Sequence, residues 1–150
     1  MQIRKDDPAA PHVAALLAHH LAELRGDMAE FAFALDATGL SAPEVTFWTA
    51  WRDDVLVGFV ALKALDPRQG EVKSMRAAPA ARGTGVGRAL LDHVIAIARE
   101  RGYDRLSLET GTAALYQPAV GLYRSAGFVP CDAFADYRPS PHNQFLTLIL

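Results

Sequence analysis

The stretch Glu71-Val-Lys-Ser-Met-Arg-Ala-Ala-Pro-Ala-Ala-Arg-Gly-Thr-Gly-Val-Gly-Arg-Ala-Leu-Leu-Asp-His-Val-Ile-Ala-Ile-Ala-Arg99 decides the fold of this chain. It predicts a strand over Glu71–Ala77, a short loop, a glycine-rich turn and a helix from about Gly85 to Arg101, whose apolar residues recur at helical spacing. Asp104–Thr110 alternates apolar and polar residues and predicts another strand. A strand, a crossing helix and a further strand predict a parallel pair with a right-handed crossover.

The glycine-rich turn predicts an anion site. Gly83, Gly85 and Gly87 alternate where the helix begins, so no side chain keeps a ligand away from the backbone there. A helix start also presents unpaired N–H groups and the positive end of the helix dipole. With Arg82 and Arg88 on either side, the turn suits a phosphate group.

The spacing of the glycines excludes two common phosphate loops. The pattern G-x-x-x-x-G-K-[ST] is absent, and G-x-G-x-x-G would need a glycine where the chain has Arg88. The spacing that fits is R-x-x-G-x-G, from Arg82 to Gly87. The alternative interpretation is a flexible turn that only caps a helix.

The remaining elements are predicted from periodicity and from turn residues. Further strands are expected at Gln2–Lys5, Val45–Trp51, Val55–Lys63, Val129–Cys131 and Gln144–Leu150. Further helices are expected from either Asp7-Pro8 or Pro11 to Gly26, at Met28–Leu35 and at Pro118–Ala126, with a loop at Thr38–Pro43. The strands Val45–Trp51, Val55–Lys63 and Glu71–Ala77 are joined by short turns and should form an antiparallel meander.

Composition and charge narrow the class of protein. A chain of 150 residues suits one domain over residues 1–150. A net charge of −2 indicates neither a nucleic-acid surface nor a polybasic membrane patch, and the apolar run Val55–Leu62 is too short to span a bilayer. Cys131 is the single cysteine, so an internal disulfide is excluded. We expect a soluble cytoplasmic protein.

Two motifs together resemble the GNAT N-acetyltransferases. One is the R-x-x-G-x-G turn after a strand, and the other is L-Y-x-x-x-G-F, at Leu122–Phe128. The order of predicted elements is similar to that family along the whole chain. The resemblance implies a mixed α/β (α+β) fold with a mostly antiparallel sheet of about seven strands, about four helices and a central parallel pair that splays apart.

The resemblance also implies acetyl-CoA as cosubstrate and assigns residues to it. The thioester would lie in the gap between the splayed strands, with Tyr123 facing the sulfur. The pantetheine arm would pair with the backbone of Met75, Arg76 and Ala77. The pyrophosphate would be held by backbone N–H groups of Arg82, Gly83, Thr84, Gly85, Val86 and Gly87, next to Arg88.

Acyl transfer to an amine requires groups that move protons. A free alkylamine has a pKa of about 10 and must lose a proton before it attacks. Glu71 and Glu109, each on a strand near the gap, are the candidate bases. Strand alternation places Glu71, Lys73 and Met75 on one face, so Glu71 could instead form a charge pair with Lys73. Tyr123 either protonates the leaving thiolate or is a packed core residue.

The acceptor remains open at this stage. A small-molecule primary amine is the main hypothesis, with acetylation of protein lysines or N-termini and a non-catalytic acyl-CoA-binding module as alternatives. Tyr116, Asp136, Tyr137 and Asn143 either border the acceptor site or serve turns. Exposed edge strands make a homodimer possible.

No metal and no covalent acyl-enzyme are expected. The histidines have no ligand spacing to one another or to Cys131, and the neighbours His19 and His20 point in different directions from a helix. Cys131 has no evident activating base, which favours direct transfer in a ternary complex.

Overall fold

The computed structural model describes residues 1–28 and 37–150, with side chains for residues 1–23 and 39–150. Its sheet has seven strands in the order β1-β2-β3-β4-β5-β7-β6. The strands are β1 Gln2–Lys5, β2 Val45–Arg52, β3 Val55–Asp66, β4 Gln69–Ala77, β5 Arg105–Gly111, β6 Val129–Pro130 and β7 Asn143–Ile149. The α-helices are α1 Pro11–Met28, α2 Ala37–Leu40, α3 Val86–Glu100 and α4 Gln117–Ser125.

The predicted meander is present, and short turns set its register. Arg52 pairs with Val55, so Asp53 and Asp54 alone make the β2–β3 turn. Their φ angles of 48° and 63° are the left-handed values that tight hairpin turns require. Strands β2, β3 and β4 are antiparallel neighbours, as expected from the short connections.

The predicted crossover helix joins the parallel strands β4 and β5. Its buried face is the apolar face expected from the sequence, and consists of Val86, Leu90, Leu91, Val94, Ile95 and Ala98. Gly102 ends the helix at a φ of 76°, and Tyr103 N–H donates to Ala98 O over 3.1 Å. This is the glycine cap that returns the chain to the sheet.

The two faces of the sheet carry different cores. Helix α3 packs with residues such as Val60, Leu62 and Leu106 in the larger apolar cluster. The opposite face is covered by a smaller cluster made of Val13 and Leu17 from α1, Leu40 from α2, and Phe47, Phe59 and Ala61 from the sheet. The smaller cluster covers β2 and β3 and contains no residue of β4, β5 or β7.

Two predicted boundaries are wrong. Helix α1 does not end at Gly26 but continues to Met28, because a glycine weakens a helix by only about 1 kcal/mol and packing can override it. The predicted loop Thr38–Pro43 begins inside α2, a single turn that buries Leu40. The predicted helix Met28–Leu35 lies outside the described residues, apart from Met28 as the end of α1.

The fold class is confirmed as α/β with a mostly antiparallel sheet of seven strands. In the described part of the chain, no helix is long and apolar enough to cross a membrane.

Candidate active site

The predicted gap lies between β4 and β5. The two strands pair only at Gln69↔Arg105, Gly70↔Leu106 and Glu71↔Ser107. Beyond these pairs β4 continues to Ala77 beside β3, while β5 continues to Gly111 beside β7. The backbone groups that two parallel strands would share are therefore left facing a cleft, where an extended ligand can pair with them.

A bulge in β4 changes which side chains face the cleft. Ala61 pairs with Lys73 and Phe59 with Arg76, so two residues of β4 lie opposite Val60 alone. Ser74 in this bulge has a φ of 50°, a left-handed value that is uncommon for a residue other than glycine.

The bulge corrects the prediction that Glu71, Lys73 and Met75 share a face. Met75 packs against the larger core on the α3 side, together with Val72. Lys73 stays beside Glu71 on the opposite side. The extra residue shifts the alternation by one position, which a strict two-residue period does not anticipate.

The glycine turn leaves the backbone N–H groups of residues 83–88 open to a ligand, and we call this set of groups the N–H cradle. Gly83 and Gly85 have φ angles of 75° and 91°, and a Cβ at either position would meet nothing within 4 Å. Gly85 is the N-cap of α3, and its carbonyl accepts from Ala89 N–H over 3.0 Å. Within the described chain, the N–H groups of residues 83–88 donate to no backbone carbonyl, so they are available to an anion.

Arg52 supports this cradle and was missed in the sequence. Its Nη1 donates to Thr84 Oγ1 and its Nη2 donates to Thr84 O, both over 2.6 Å. In a trans peptide the C=O and N–H groups point in opposite directions. Because Thr84 O points toward Arg52, the N–H of Gly85 in the same peptide points away from Arg52. This contact could not be predicted from the sequence, because Arg52 and Thr84 are 32 positions apart in the chain.

The arginines on either side of the turn are paired with carboxylates. Arg82 Nη2 lies 3.2 Å from Glu23 Oε1, and Arg88 Nε donates to Asp92 Oδ1 over 2.9 Å. Both side chains are about half exposed. Their predicted contact with phosphate remains a prediction, and the cradle itself consists of backbone groups.

Tyr123 lies at the end of α4, where the second motif forms its predicted cap. Gly127 has a φ of 104°, its N–H donates to Arg124 O over 3.0 Å, and Phe128 N–H donates to Tyr123 O over 3.1 Å. The Tyr123 ring packs on Phe128 with centroids 5.9 Å apart. Burial raises the pKa of the Tyr123 hydroxyl to about 12.

Glu71 belongs to a buried three-member network. Lys73 Nζ lies 3.2 Å from Glu71 Oε2, as the charge-pair alternative predicted. Tyr137 donates its hydroxyl to Glu71 Oε2 and accepts from Lys73 Nζ, both over 2.5 Å. Burial, and then the charge of Glu71, raise the pKa of Tyr137. Glu71 is only 2% exposed, so both of its neighbours compensate a charge that has lost its water.

Glu109 is in a different situation. It lies on β5 two residues beyond Ser107, the last residue of β5 that pairs with β4, and it is only partly buried. Burial raises its pKa to about 7, despite opposing contributions from a hydrogen bond to Asn143 and from the charge of Lys73. A carboxyl group with this pKa can both accept and release a proton near neutral pH.

Comparison with known proteins identifies the family. Residues 12–128 match the model of the acetyltransferase (GNAT) family. The uncharacterized N-acetyltransferase YedL of Escherichia coli is 45% identical over 149 residues, which cover 99% of this chain and 94% of that protein. The chain belongs to the GNAT acetyltransferase family.

Solved structures of similar fold agree with this identification. A Klebsiella pneumoniae structure assigned as an acyl-CoA N-acyltransferase has a TM-score of 0.80 and 27% identity, covering 99% of this chain and 97% of that one. A GNAT acetyltransferase from Elizabethkingia anophelis, solved with acetyl-CoA bound, has a TM-score of 0.70, 18% identity and coverage of 99% and 97%. This GNAT protein is thus an acyl-CoA-dependent acetyltransferase.

Two further features of this acetyltransferase bear on its chemistry. Cys131 is partly exposed, and partial burial raises the pKa of its thiol, which disfavours the reactive thiolate. Among the described residues, no three His, Cys, Asp or Glu side chains form a group that could hold a metal ion.

Proposed function

We propose that this acetyltransferase moves the acetyl group of acetyl-CoA to a primary amine of a small molecule by direct attack in a ternary complex. The observation that carries the proposal is the cleft between β4 and β5, which joins an N–H cradle to a partly buried carboxyl group with a pKa of about 7, Glu109. The acetyl-CoA-bound relative from Elizabethkingia anophelis supports the choice of donor.

Backbone groups hold the donor in this proposal. The pyrophosphate lies against the turn from Arg82 to Gly87, where the N–H groups from Gly83 onward carry the partial positive charge of the α3 N-terminus. The N–H of Arg82 itself donates to Pro79 O over 3.4 Å. The pantetheine arm pairs with the backbone of β4 at Met75, Arg76 and Ala77, where β5 no longer pairs with that strand. The acetyl group then points between β4 and β5.

Glu109 acts as the general base. It removes a proton from the ammonium form of the acceptor, directly or through one water molecule. The neutral amine attacks the thioester carbonyl carbon and a C–N bond forms. The C–S bond of the tetrahedral intermediate then breaks, and the nitrogen loses its second proton through water, so that the products are an amide and, once the thiolate is protonated, CoA. Glu71 is less suited to this role, because its Oε2 already faces Lys73 and Tyr137.

Tyr123 stabilises the leaving sulfur by donating a hydrogen bond. A thiol has a pKa of about 8.5, whereas burial raises that of Tyr123 to about 12. Full proton transfer from the phenol to the thiolate is therefore unfavourable. The phenol keeps its proton, and the thiolate is protonated by water or by the proton that Glu109 has gained.

A panel of amines tests the proposal. The purified protein is mixed with acetyl-CoA and with small primary amines, N-terminal peptides or lysine peptides, and release of the CoA thiol is measured. Thiol release with small amines at rates well above acetyl-CoA hydrolysis is the expected result. Release with peptides alone would favour protein acetylation, and acetyl-CoA binding without release would favour a non-catalytic module.

Direct transfer has its own test. Initial rates over both substrates should give intersecting double-reciprocal lines, and acetyl-CoA alone should add no acetyl mass to the protein. Parallel lines together with an acetylated protein, above all one acetylated at Cys131, would show a covalent intermediate and refute direct transfer.

A further inference from the structure

The side chain of Arg76 has unused hydrogen-bonding capacity on the same face of the sheet as Lys73, since their partners Phe59 and Ala61 share the smaller core. Arg76 lies on β4 directly after the bulge, opposite Phe59, and its side chain is only 10% exposed. Its Nε is buried and donates to no described residue. Buried guanidinium N–H groups without acceptors are costly, so a position like this suggests a ligand that supplies them.

Glu23 of α1 compensates the charge of Arg76 but leaves its Nε without a partner. Arg76 Nη2 forms an ion pair with Glu23 Oε2 over 2.6 Å, whereas Nε has no acceptor among the described residues. Glu23 is 26% exposed, and its other partners, His19 and Arg82, are 45% and 49% exposed. The Glu23 carboxylate can therefore move toward these two residues and leave Arg76 to another anion.

His20 adds a second buried polar group to the same place. It is 5% exposed, its ring packs edge-on against Phe59 at 5.5 Å, and neither ring nitrogen has a partner among the described residues. Burial, and then the charge of Arg76, lower its pKa to about 4, so the ring is neutral at pH 7. A neutral imidazole can donate one N–H to the anion that Arg76 attracts.

From this geometry we infer that Arg76 binds a carboxylate of the acceptor, with Glu23 occupying that position when no acceptor is bound. The acceptors are therefore amines that also carry a carboxylate, such as amino acids. The inference rests on the proposed function, since it names the substrate class of the same site. Planar arginine and carboxylate groups match in two parallel hydrogen bonds, which gives the contact its selectivity.

The proposed acceptor then spans two charged groups of opposite sign. Its ammonium lies toward Glu109 and its carboxylate lies toward Arg76. Counting on from the pair Glu71↔Ser107 places Glu109 level with Lys73. Because of the bulge in β4, Lys73 and Arg76 lie opposite Ala61 and Phe59, which are two residues apart. At about 3.3 Å per strand residue this is roughly 7 Å along the strand, a distance that the long arginine side chain can shorten.

Matched amines test the substrate class. Glycine is compared with methylamine, β-alanine with ethylamine, γ-aminobutyrate with propylamine, and leucine with isopentylamine, by CoA release. We expect kcat/KM for at least one carboxylated amine to exceed that of its partner by about tenfold or more. Acetylation of amines with no such preference would overturn the inference while leaving the proposed function intact.

Variants assign the preference to Arg76. Arg76→Gln should abolish this preference, so that the ratio of kcat/KM between the carboxylated amine and its decarboxylated partner falls about tenfold or more, whatever change the two amines share. Arg76→Lys keeps the charge but loses the planar fork, and should restore part of the preference. Arg68→Gln is the matched control, because it removes a 73% exposed arginine that pairs with Asp104 at the opposite end of β4 from Arg76, and it should leave the preference unchanged.

Glu23→Gln separates recognition from a structural role. If Glu23 occupies the carboxylate position, this variant should lower the KM for carboxylated amines, the opposite of the effect of Arg76→Gln. If the ion pair only attaches α1 to β4, both variants should impair both classes of amine equally, and that result would overturn the inference.

Binding can be measured without turnover. The CoA-saturated protein is titrated calorimetrically with the same amino acids and with their decarboxylated partners. Binding of an amino acid that is lost in Arg76→Gln supports the inference even if no acetylation is seen. The absence of binding by every amino acid in the panel would refute it.

Discussion

The end of the β4–β5 cleft that we propose binds the cofactor and the end that we propose binds the acceptor are built from different parts of the polypeptide. At the cofactor end, the cradle consists of backbone N–H groups around Gly83 and Gly85, and a Cβ there would point into open space. At the acceptor end, the described groups are side chains, among them Glu71, Glu109 and Tyr137. A backbone site recognises a phosphate in any relative that keeps the turn, whereas a side-chain site can change its specificity with single substitutions.

The strongest test of the acceptor end is Glu109→Gln, which keeps the shape of the side chain and removes the base. We expect kcat to fall by about 10²–10⁴, the usual contribution of a positioned base. In the wild-type enzyme kcat/KM should rise with pH through about 7, since the carboxylate is the active form. Glu71→Gln is the comparison variant, and a larger loss of kcat there, in a folded protein, would transfer the role of base to Glu71.

Gly85→Val tests the cofactor end. A β-branched residue is disfavoured at a φ of 91°, and its side chain would occupy the space in front of the N–H cradle. We expect at least a tenfold loss of acetyl-CoA affinity, or roughly 1.4 kcal/mol, by calorimetry. Gly121→Val is the control, because Gly121 also has open space around it but lies inside α4. Wild-type affinity in a folded Gly85→Val protein would show that the pyrophosphate binds elsewhere.

Tyr123→Phe tests the side chain that we propose faces the sulfur of acetyl-CoA. Removing the hydroxyl leaves the ring packed on Phe128, so folding should be nearly unchanged. We expect kcat to fall by about tenfold while the KM for acetyl-CoA changes little, as for an interaction made mainly in the transition state. An unchanged kcat, measured where chemistry limits the rate, would make Tyr123 a core residue only.

The pH dependence of stability offers a smaller effect at the acceptor end. The pKa of Glu109 is about 7 in the folded protein and 4.5 without the fold, so folding disfavours its charged form. Its contribution to the free energy of unfolding is therefore complete below about pH 4.5 and lost as pH rises through about 7. Thermal unfolding should show Glu109→Gln gaining stability over the wild type between about pH 5 and pH 8. A constant difference would contradict the raised pKa.

Removal of metal ions should not change the acetyltransferase activity. Acyl transfer from a thioester needs no Lewis acid, and the described residues contain no group of three potential ligands. Activity should survive dialysis against a chelator, as measured by CoA release. Activity that is lost and returns with added zinc would reveal a metal site formed in part by residues outside those described.

The backbone conformation of the glycine turn at the cofactor end could be predicted, because it depends on a few neighbouring residues. Alternating glycines at the start of a helix and the glycine cap at Gly127 each depend on a few consecutive residues, and both have the expected left-handed φ angles. Arg52 is the exception, since its contact with Thr84 joins residues 32 positions apart. A one-dimensional pattern contains no information about such a pair.

At the acceptor end, the sequence identified the candidate side chains but not the role of each. Glu71 and Glu109 were both candidate bases, and nothing local distinguishes two glutamates on neighbouring strands. The difference comes from Tyr137, 66 positions from Glu71, which together with Lys73 occupies Glu71 Oε2. The bulge at Ser74 likewise reversed the side on which Met75 lies.

The sequence by itself determined the order of the strands, the crossover between β4 and β5 and the conformation of the glycine turn, because hydrophobic period and glycine conformation act over one or two turns of chain. The tertiary structure decided which carboxyl group is poised near neutral pH and which arginine lies buried with unused N–H groups. These properties depend on desolvation and on charges brought together from distant segments, and both exist only after the chain has folded.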